Sequence, residues 1–163
     1  MSAPPAYTPS TPPAGLRVPC STDQPVPNES LIGSAPFVDL DGSPVYVASA
    51  IMGANAVHPC KVARGLVMVA YGGGEKHHKG RYDILPITEM MEWVDAQHGQ
   101  IPKGRRPVEG GFEASGQHLF HALTFINEVQ VPGKTGEHLR GANFGWGGGE
   151  TVRQTCYKIL CWR

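Results

Sequence analysis

The chain has 163 residues and carries 14 basic and 14 acidic side chains, so its net charge is zero. That length suits one domain, or two small halves sharing one core, and balanced charge leaves no electrostatic footprint for nucleic acid or anionic lipid. Gly 21 and Pro 15 exclude a mostly helical chain, because each interior glycine costs about 1 kcal/mol and each proline about 3 kcal/mol in a helix.

Residues 1–15, M-S-A-P-P-A-Y-T-P-S-T-P-P-A-G, form a Pro-rich stretch without periodicity, expected to be a disordered tail. It has neither a basic region nor an apolar core of the kind that makes a signal peptide. Four cysteines, Cys20, Cys60, Cys156 and Cys161, fall at irregular spacing. They make neither a disulfide framework nor a C-x-x-C zinc site, and read as reduced thiols of a cytoplasmic protein, with non-classical release left open. No apolar run exceeds Leu66–Tyr71, too short to span a bilayer as a helix.

Strand signals begin after the tail. Asp41-Gly42-Ser43-Pro44 is turn chemistry, followed by a β-favouring run over Val45–Ala50. Leu66–Tyr71 predicts a second strand, ended by Gly72-Gly73-Gly74, and Gly80–Leu85 leads into a third. Met90, Met91, Trp93 and Val94 suggest a helical turn over Ile87–Asp95. Leu119–Phe125 then repeats the character of Val45–Ile51.

The repeat is the organising feature. Placing Glu75 on Glu150 superimposes Gly72-Gly73-Gly74 on Gly147-Gly148-Gly149, Tyr71 on Trp146, Tyr82 on Tyr157 and Ile84-Leu85 on Ile159-Leu160. Pro59-Cys60-Lys61 falls on Pro132-Gly133-Lys134. The expected fold is all-β: two tandem pseudo-symmetric repeats of short antiparallel strands, residues 16–90 and 91–163, packed as one unit.

Each copy carries an acid before its first strand, a lysine after Pro-x, and a glutamate after the glycines. These are Asp39, Lys61 and Glu75 in the first copy, and Glu113, Lys134 and Glu150 in the second. Within a copy, such a set makes either a small polar pocket for a neutral polyol or a buried ion pair closing the repeat. Carboxylate and ammonium groups give charge-assisted bonds to hydroxyls, and the glycines let a ligand approach the backbone.

Other chemistries fit less well. The glycine runs lack the Gly-Lys-Ser/Thr of a phosphate loop and the spacing of a dinucleotide fold. His118 and His121 are three apart, on opposite faces of a strand; His77 and His78 are adjacent, and His58 has no counterpart in the second copy, so no metal site is expected. Cys60 beside Lys61 suggests a lowered thiol pKa, while Cys156 and Cys161 read as small packed residues. Trp93 and Trp162 read as core, and Trp146, next to the second glycine run, as a surface for stacking a sugar. A glycoside hydrolase would need a carboxylate pair, such as Glu113 with Glu150; an adjacent lysine keeps a carboxylate ionised and unsuited to act as the acid.

The pattern x-G-x-P-x-Y-V-A…P-x-K…Y-G-G-x-E…Y-x-I-L, present twice and joined by W-V-x-A-x-x-G-x-I-P, resembles the DM-nine repeat family over residues 16–163. That family includes mannose-specific lectins of molluscs. The resemblance implies a non-catalytic, cofactor-free carbohydrate binder in a recognition or agglutination role of innate immunity. Its sites would be mannose-type, with Asp39 and Lys61 in one copy, Glu113 and Lys134 in the other, and Glu75 and Glu150 beside them. A homodimer would multiply the sites. In the first copy Ala35-Pro36 stands where the second has Gly110-Gly111, so Asp41 competes with Asp39 as the acid. A further alternative is a scaffold, or the recognition half of a membrane-damaging assembly.

Overall fold

The unit from which the molecule is built is a β-hairpin closed by two glycines. In the computed structural model, which describes residues 13–163, Leu66–Tyr71 and Gly74–His77 pair across Gly72-Gly73, whose φ angles are 62° and 81°. Gly141–Trp146 and Gly149–Arg153 do the same across Gly147-Gly148, at 59° and 84°. Positive φ at both central positions is the turn that matches strand twist, and glycine adopts it without a side-chain clash.

The fold is all-β. In chain order the strands are β1 Val18–Ser21, β2 Phe37–Val38, β3 Pro44–Met52, β4 Ala56–Ala63, β5 Leu66–Tyr71, β6 Gly74–His77, β7 Arg81–Ile84, β8 Met91–Ala96, β9 Arg106–Pro107, β10 Glu109–Phe112, β11 His118–Ile126, β12 Val129–Gly136, β13 Gly141–Trp146, β14 Gly149–Arg153 and β15 Tyr157–Trp162. Among the described residues helix is confined to a four-residue turn, Glu29–Ile32, and a 3₁₀ turn, Glu137–Leu139.

The pairing order is a palindrome about its centre: β1-β7-β3-β4-β5-β6, then β14-β13-β12-β11-β15-β8. Its midpoint is Gly74 opposite Gly149, the residues superimposed by the repeat alignment. A pseudo-two-fold axis therefore runs between the two glycine hairpins. The path also closes on itself, since β10 pairs with β11 of its own copy and with β4 of the other. Strands β4-β5-β6-β14-β13-β12-β11-β10 thus form a barrel drawn from both copies. A Cβ at Gly111 would collide with the Val57 carbonyl, so this closure needs the second copy's glycines.

Side-chain alternation divides the core. On β3, Tyr46, Ala48 and Ala50 enter a cluster with Val62, Val69, Tyr82 and Ile84, while Val45 and Val47 turn to the opposite face. That opposite face is shared between copies: Val45, Val47 and Leu85 meet Met91, Leu123, Leu160 and Trp162. Burial on both faces explains the apolar run of β3, broken by the buried Ser49 alone.

The expected helical turn over Ile87–Asp95 is corrected to strand: Met91–Ala96 is β8, paired along its whole length with β15. The expected tail also differs. Residues 1–12 lie outside the described part of the chain, whereas Pro13 to Gly15 are tied to the barrel, with Gly15 buried. The Pro13 carbonyl accepts from the Glu109 N–H at 2.9 Å and from Trp162 Nε1 at 3.3 Å. Arg17 then fastens this segment to both copies. It donates to the Ala14 carbonyl (2.8 Å), Ser49 Oγ (2.9 Å), the Glu109 carbonyl (2.8 Å) and His121 Nε2 (2.9 Å).

Candidate functional site

The repeated lysines sit at corresponding points of the palindrome. Lys61 on β4 lies between Val47 and Met68; Lys134 on β12 lies between His121 and Asn143. Both side chains point into the seam between copies, and only 8% of Lys61 and 4% of Lys134 is exposed. A buried ammonium must find acceptors, and each of these finds them in the other copy.

Lys61 donates to the Gly145 carbonyl at 2.8 Å and stands 5.4 Å from the centroid of the Trp146 ring, both on β13. Glu75 of its own copy completes the group, with Oε2 3.5 Å from Lys61 Nζ. Glu75 fits there because residue 145 lacks a side chain: a Cβ would lie 2.6 Å from Glu75 Oε2. That oxygen is buried and accepts no hydrogen bond.

The mirror arrangement places Lys134 5.3 Å from the centroid of the Tyr71 ring on β5. Here Ala70 occupies the position of Gly145, as the β-register shows: Glu75 opposes Ala70 and Glu150 opposes Gly145. Among the described residues Lys134 has no carboxylate within ion-pair distance; its bonded partner is His58 Nδ1 at 3.0 Å. Burial pulls the Lys134 ammonium below its usual range, opposed by the charges of Glu113 and Glu150.

His58 is buried on β4. Burial, then the Lys134 charge, push its pKa down to about 4, with Glu113 pulling the other way. It is therefore neutral at pH 7. Because an ammonium has no lone pair, Nδ1 is the acceptor, and the ring proton sits on Nε2, facing Glu113 Oε1 at 3.6 Å. The other Glu113 oxygen meets His138 Nε2 at 2.5 Å. The Tyr71 ring packs against the His58 ring edge-on, with centroids 5.3 Å apart.

The acids occupy equivalent turns. The Asp39 N–H donates to the Ser43 carbonyl at 2.8 Å and the Asp39 carbonyl accepts from the Gly42 N–H at 2.9 Å; the Glu113 backbone does the same with Gln117 and Gly116, at 2.9 Å and 2.8 Å. Asp39 rather than Asp41 is thus the counterpart of Glu113. Each acid is held by a base from the loop after the lysine strand: Arg64 Nη1 to Asp39 Oδ2 at 2.6 Å, and His138 to Glu113.

Five of the six residues singled out in the sequence therefore fall into two groups that straddle the copies, not one pocket within each. Lys61 and Glu75 join Gly145 and Trp146. Lys134, with the charges of Glu113 and Glu150 bearing on it, joins His58 and Tyr71. Asp39 is engaged by Arg64 at the outer turn. Tyr71 was marked in the sequence by its alignment with Trp146. His58 was visible too, but its lack of a counterpart hid its role.

Two expectations about cysteine are corrected. Burial pushes the Cys60 thiol up to about 12 despite the lysine beside it in sequence, because adjacent strand residues face opposite ways. Cys161 is buried as expected, whereas Cys156 is exposed in a turn with φ of 62°. All four thiols are unpaired. Among the described residues no group of three His, Cys, Asp or Glu side chains is placed to hold a metal ion, and no helix is long and apolar enough to cross a membrane. A cavity of about 820 Å³ lined by residues 95–103 and Glu137 contains none of the repeated side chains.

Fold and site together define a tandem-repeat β-barrel whose lysines cross a pseudo-two-fold seam. The model of the DM9 repeat matches residues 39–153, and the chain belongs to that family. A solved structure with the same fold is that of the nematode sperm cell motility protein MFP2B. It is 18% identical, with a TM-score of 0.55, over 80% of this chain and 40% of that one. The chain thus spans less than half the length of that protein. No curated protein sequence matches it.

Proposed function

We propose that the protein is a non-catalytic carbohydrate-binding module of the DM9 type, recognising mannose-type sugars at the two seam sites. The observation that carries this reading is the crossed pairing of each repeated lysine with the other copy's aromatic ring: Lys61 with Trp146 and Lys134 with Tyr71. An aromatic ring beside charged donors and acceptors suits a sugar, which offers an apolar face and a rim of hydroxyls. Glu75 Oε2 is buried and accepts no hydrogen bond within the protein, so the carboxylate must turn outward to take a hydroxyl donor. Glycines at the hairpin tips leave the backbone approachable.

The test is calorimetric titration of mannose, with galactose as control, into the wild type, Lys61→Ala, Lys134→Ala and the double variant. Mannose-selective heat that falls stepwise and vanishes in the double variant supports two sugar sites. The depth of both lysines favours a competing role as ties that close the barrel. Absence of heat for either sugar in folded wild type, with both single variants losing stability, would establish that role instead.

A further inference from the structure

The two seam sites are related by the repeat but built from different bases. Beside Lys61 the carboxylate is Glu75, while Asp39, the counterpart of Glu113, is bonded at the outer turn to the guanidinium of Arg64. Around Lys134 the outer carboxylate is Glu113, whose partner is the imidazole of His138, and the lysine itself is seated on the imidazole of His58. The residue aligned with His58 is Val131, which is buried in an apolar cluster. One site thus has a permanently charged base and an apolar residue where the other has two titratable rings.

We infer that the two sites are inequivalent, the Lys134 site losing its lysine seat when His58 is protonated while the Lys61 site has no imidazole to make that response, so that acid weakens one site more than the other. The ligand in this inference rests on the carbohydrate reading; the proton chemistry rests on the geometry alone.

The groups facing His58 make the direction of the response clear. From β12 comes Lys134, from the turn before β11 Glu113, from the 3₁₀ turn His138, and from β5 the Tyr71 ring; its cross-strand neighbour on β3 is Ala50. At neutral pH the ring accepts from Lys134 and offers its proton to Glu113. Protonation places an N–H donor opposite the ammonium at 3.0 Å. Two donors cannot share that contact, and two positive charges repel, so Lys134 must leave its seat beneath Tyr71. The proton comes from solvent and remains on Nδ1, while Glu113, facing Nε2, stabilises the imidazolium. Lys61 has no imidazole among its partners; its acceptors are a backbone carbonyl and Glu75.

The experiment has a ligand-free arm and a sugar arm. In Tyr71→Trp the new indole faces Lys134 as Trp146 faces Lys61. Its fluorescence, taken as the difference from wild type, is titrated from pH 7.5 to 3.5 with far-UV dichroism recorded alongside. The expected result is a transition within the folded range that disappears in Tyr71→Trp/His58→Val. A flat titration, or a transition indifferent to His58→Val, would overturn the inference.

In the sugar arm, mannose is titrated into wild type and His58→Val at pH 7.5 and 3.5. A group titrating at about 4 is three-quarters protonated at pH 3.5, so one wild-type site weakens about fourfold relative to its His58→Val counterpart. Equal weakening of both sites in both proteins would overturn the inference. Absence of mannose heat throughout, with the fluorescence transition intact, would remove the carbohydrate reading and leave the proton-responsive seam standing.

Discussion

Gly145→Ala isolates the contact on which the Lys61 site depends. A methyl group at that position would stand 2.6 Å from Glu75 Oε2, 2.9 Å from Cγ and 3.1 Å from Cδ. Because three atoms of the side chain are crowded, rotating the carboxylate alone does not relieve the overlap, and Glu75 must withdraw toward the barrel mouth. Lys61 keeps the Gly145 carbonyl but loses the charge now 3.5 Å away. Overpacking of this kind costs about 1–3 kcal/mol, and we take about 2 kcal/mol as the expected loss. For a chain of this length that lowers Tm by roughly 4–8 °C. The matched control is Ala70→Gly at the pseudo-equivalent position, where backbone freedom and the loss of one buried methyl together cost about 1–2 kcal/mol. Urea unfolding of both variants beside wild type measures the difference. Gly145→Ala within 0.5 kcal/mol of wild type, on the scale of an ordinary surface change, would refute the account of why residue 145 has no side chain.

Acid should weaken the fold before its carboxylates titrate. His58 and His121 are both buried and lowered, the first to about 4 and the second well below the usual imidazole range by burial and then by Arg17. Between their folded and unfolded pKa values only the unfolded chain binds the proton, so stability is full above about pH 6.5 and falls as the pH drops. The slope is about 1.4 kcal/mol per unit per histidine, or about 4 kcal/mol for the pair between pH 6.5 and 5. Urea midpoints unchanged between pH 7 and 5 would contradict the neutral assignment of both rings; His58→Val should remove about half of the slope. Arg17→Met should destabilise by about 3 kcal/mol, since the acceptors it serves in both copies are left unpaired. It should also expose the chain to proteolysis near Ala14; a variant as protease-resistant as wild type would show that the strap is held by packing instead.

The repeat was legible because its turns demand a particular residue. Gly72-Gly73 and Gly147-Gly148 need positive φ at both positions, so both copies kept glycines and a constant spacing to the glutamate after them. The strand over Leu66–Tyr71 was readable for the same reason, being bounded by those turns. Met91–Ala96 misled because it is an outer strand packed unevenly: Met91 is buried, Asp95 exposed and the residues between half-buried. Its apolar pairs therefore imitate a helical face.

The crossing of the lysines could not be read from one copy, since pairing Gly74 with Gly149 is a long-range fact. His58 escaped because symmetry was used as the filter for function. Arg17 lies at the very start of the first copy, and nothing in its neighbours announces that it would be bonded to both copies.

The palindromic pairing has an evolutionary implication. Were each repeat a separate polypeptide, the barrel would assemble from two identical chains about a true two-fold axis, and any substitution would alter both seams at once. Joining the repeats in one gene product releases that restriction. His58 and Val131, and Ala70 and Gly145, are differences that no symmetric pair of subunits could hold. Duplication here does more than double a site: it allows one barrel to carry two sites with separate chemistries.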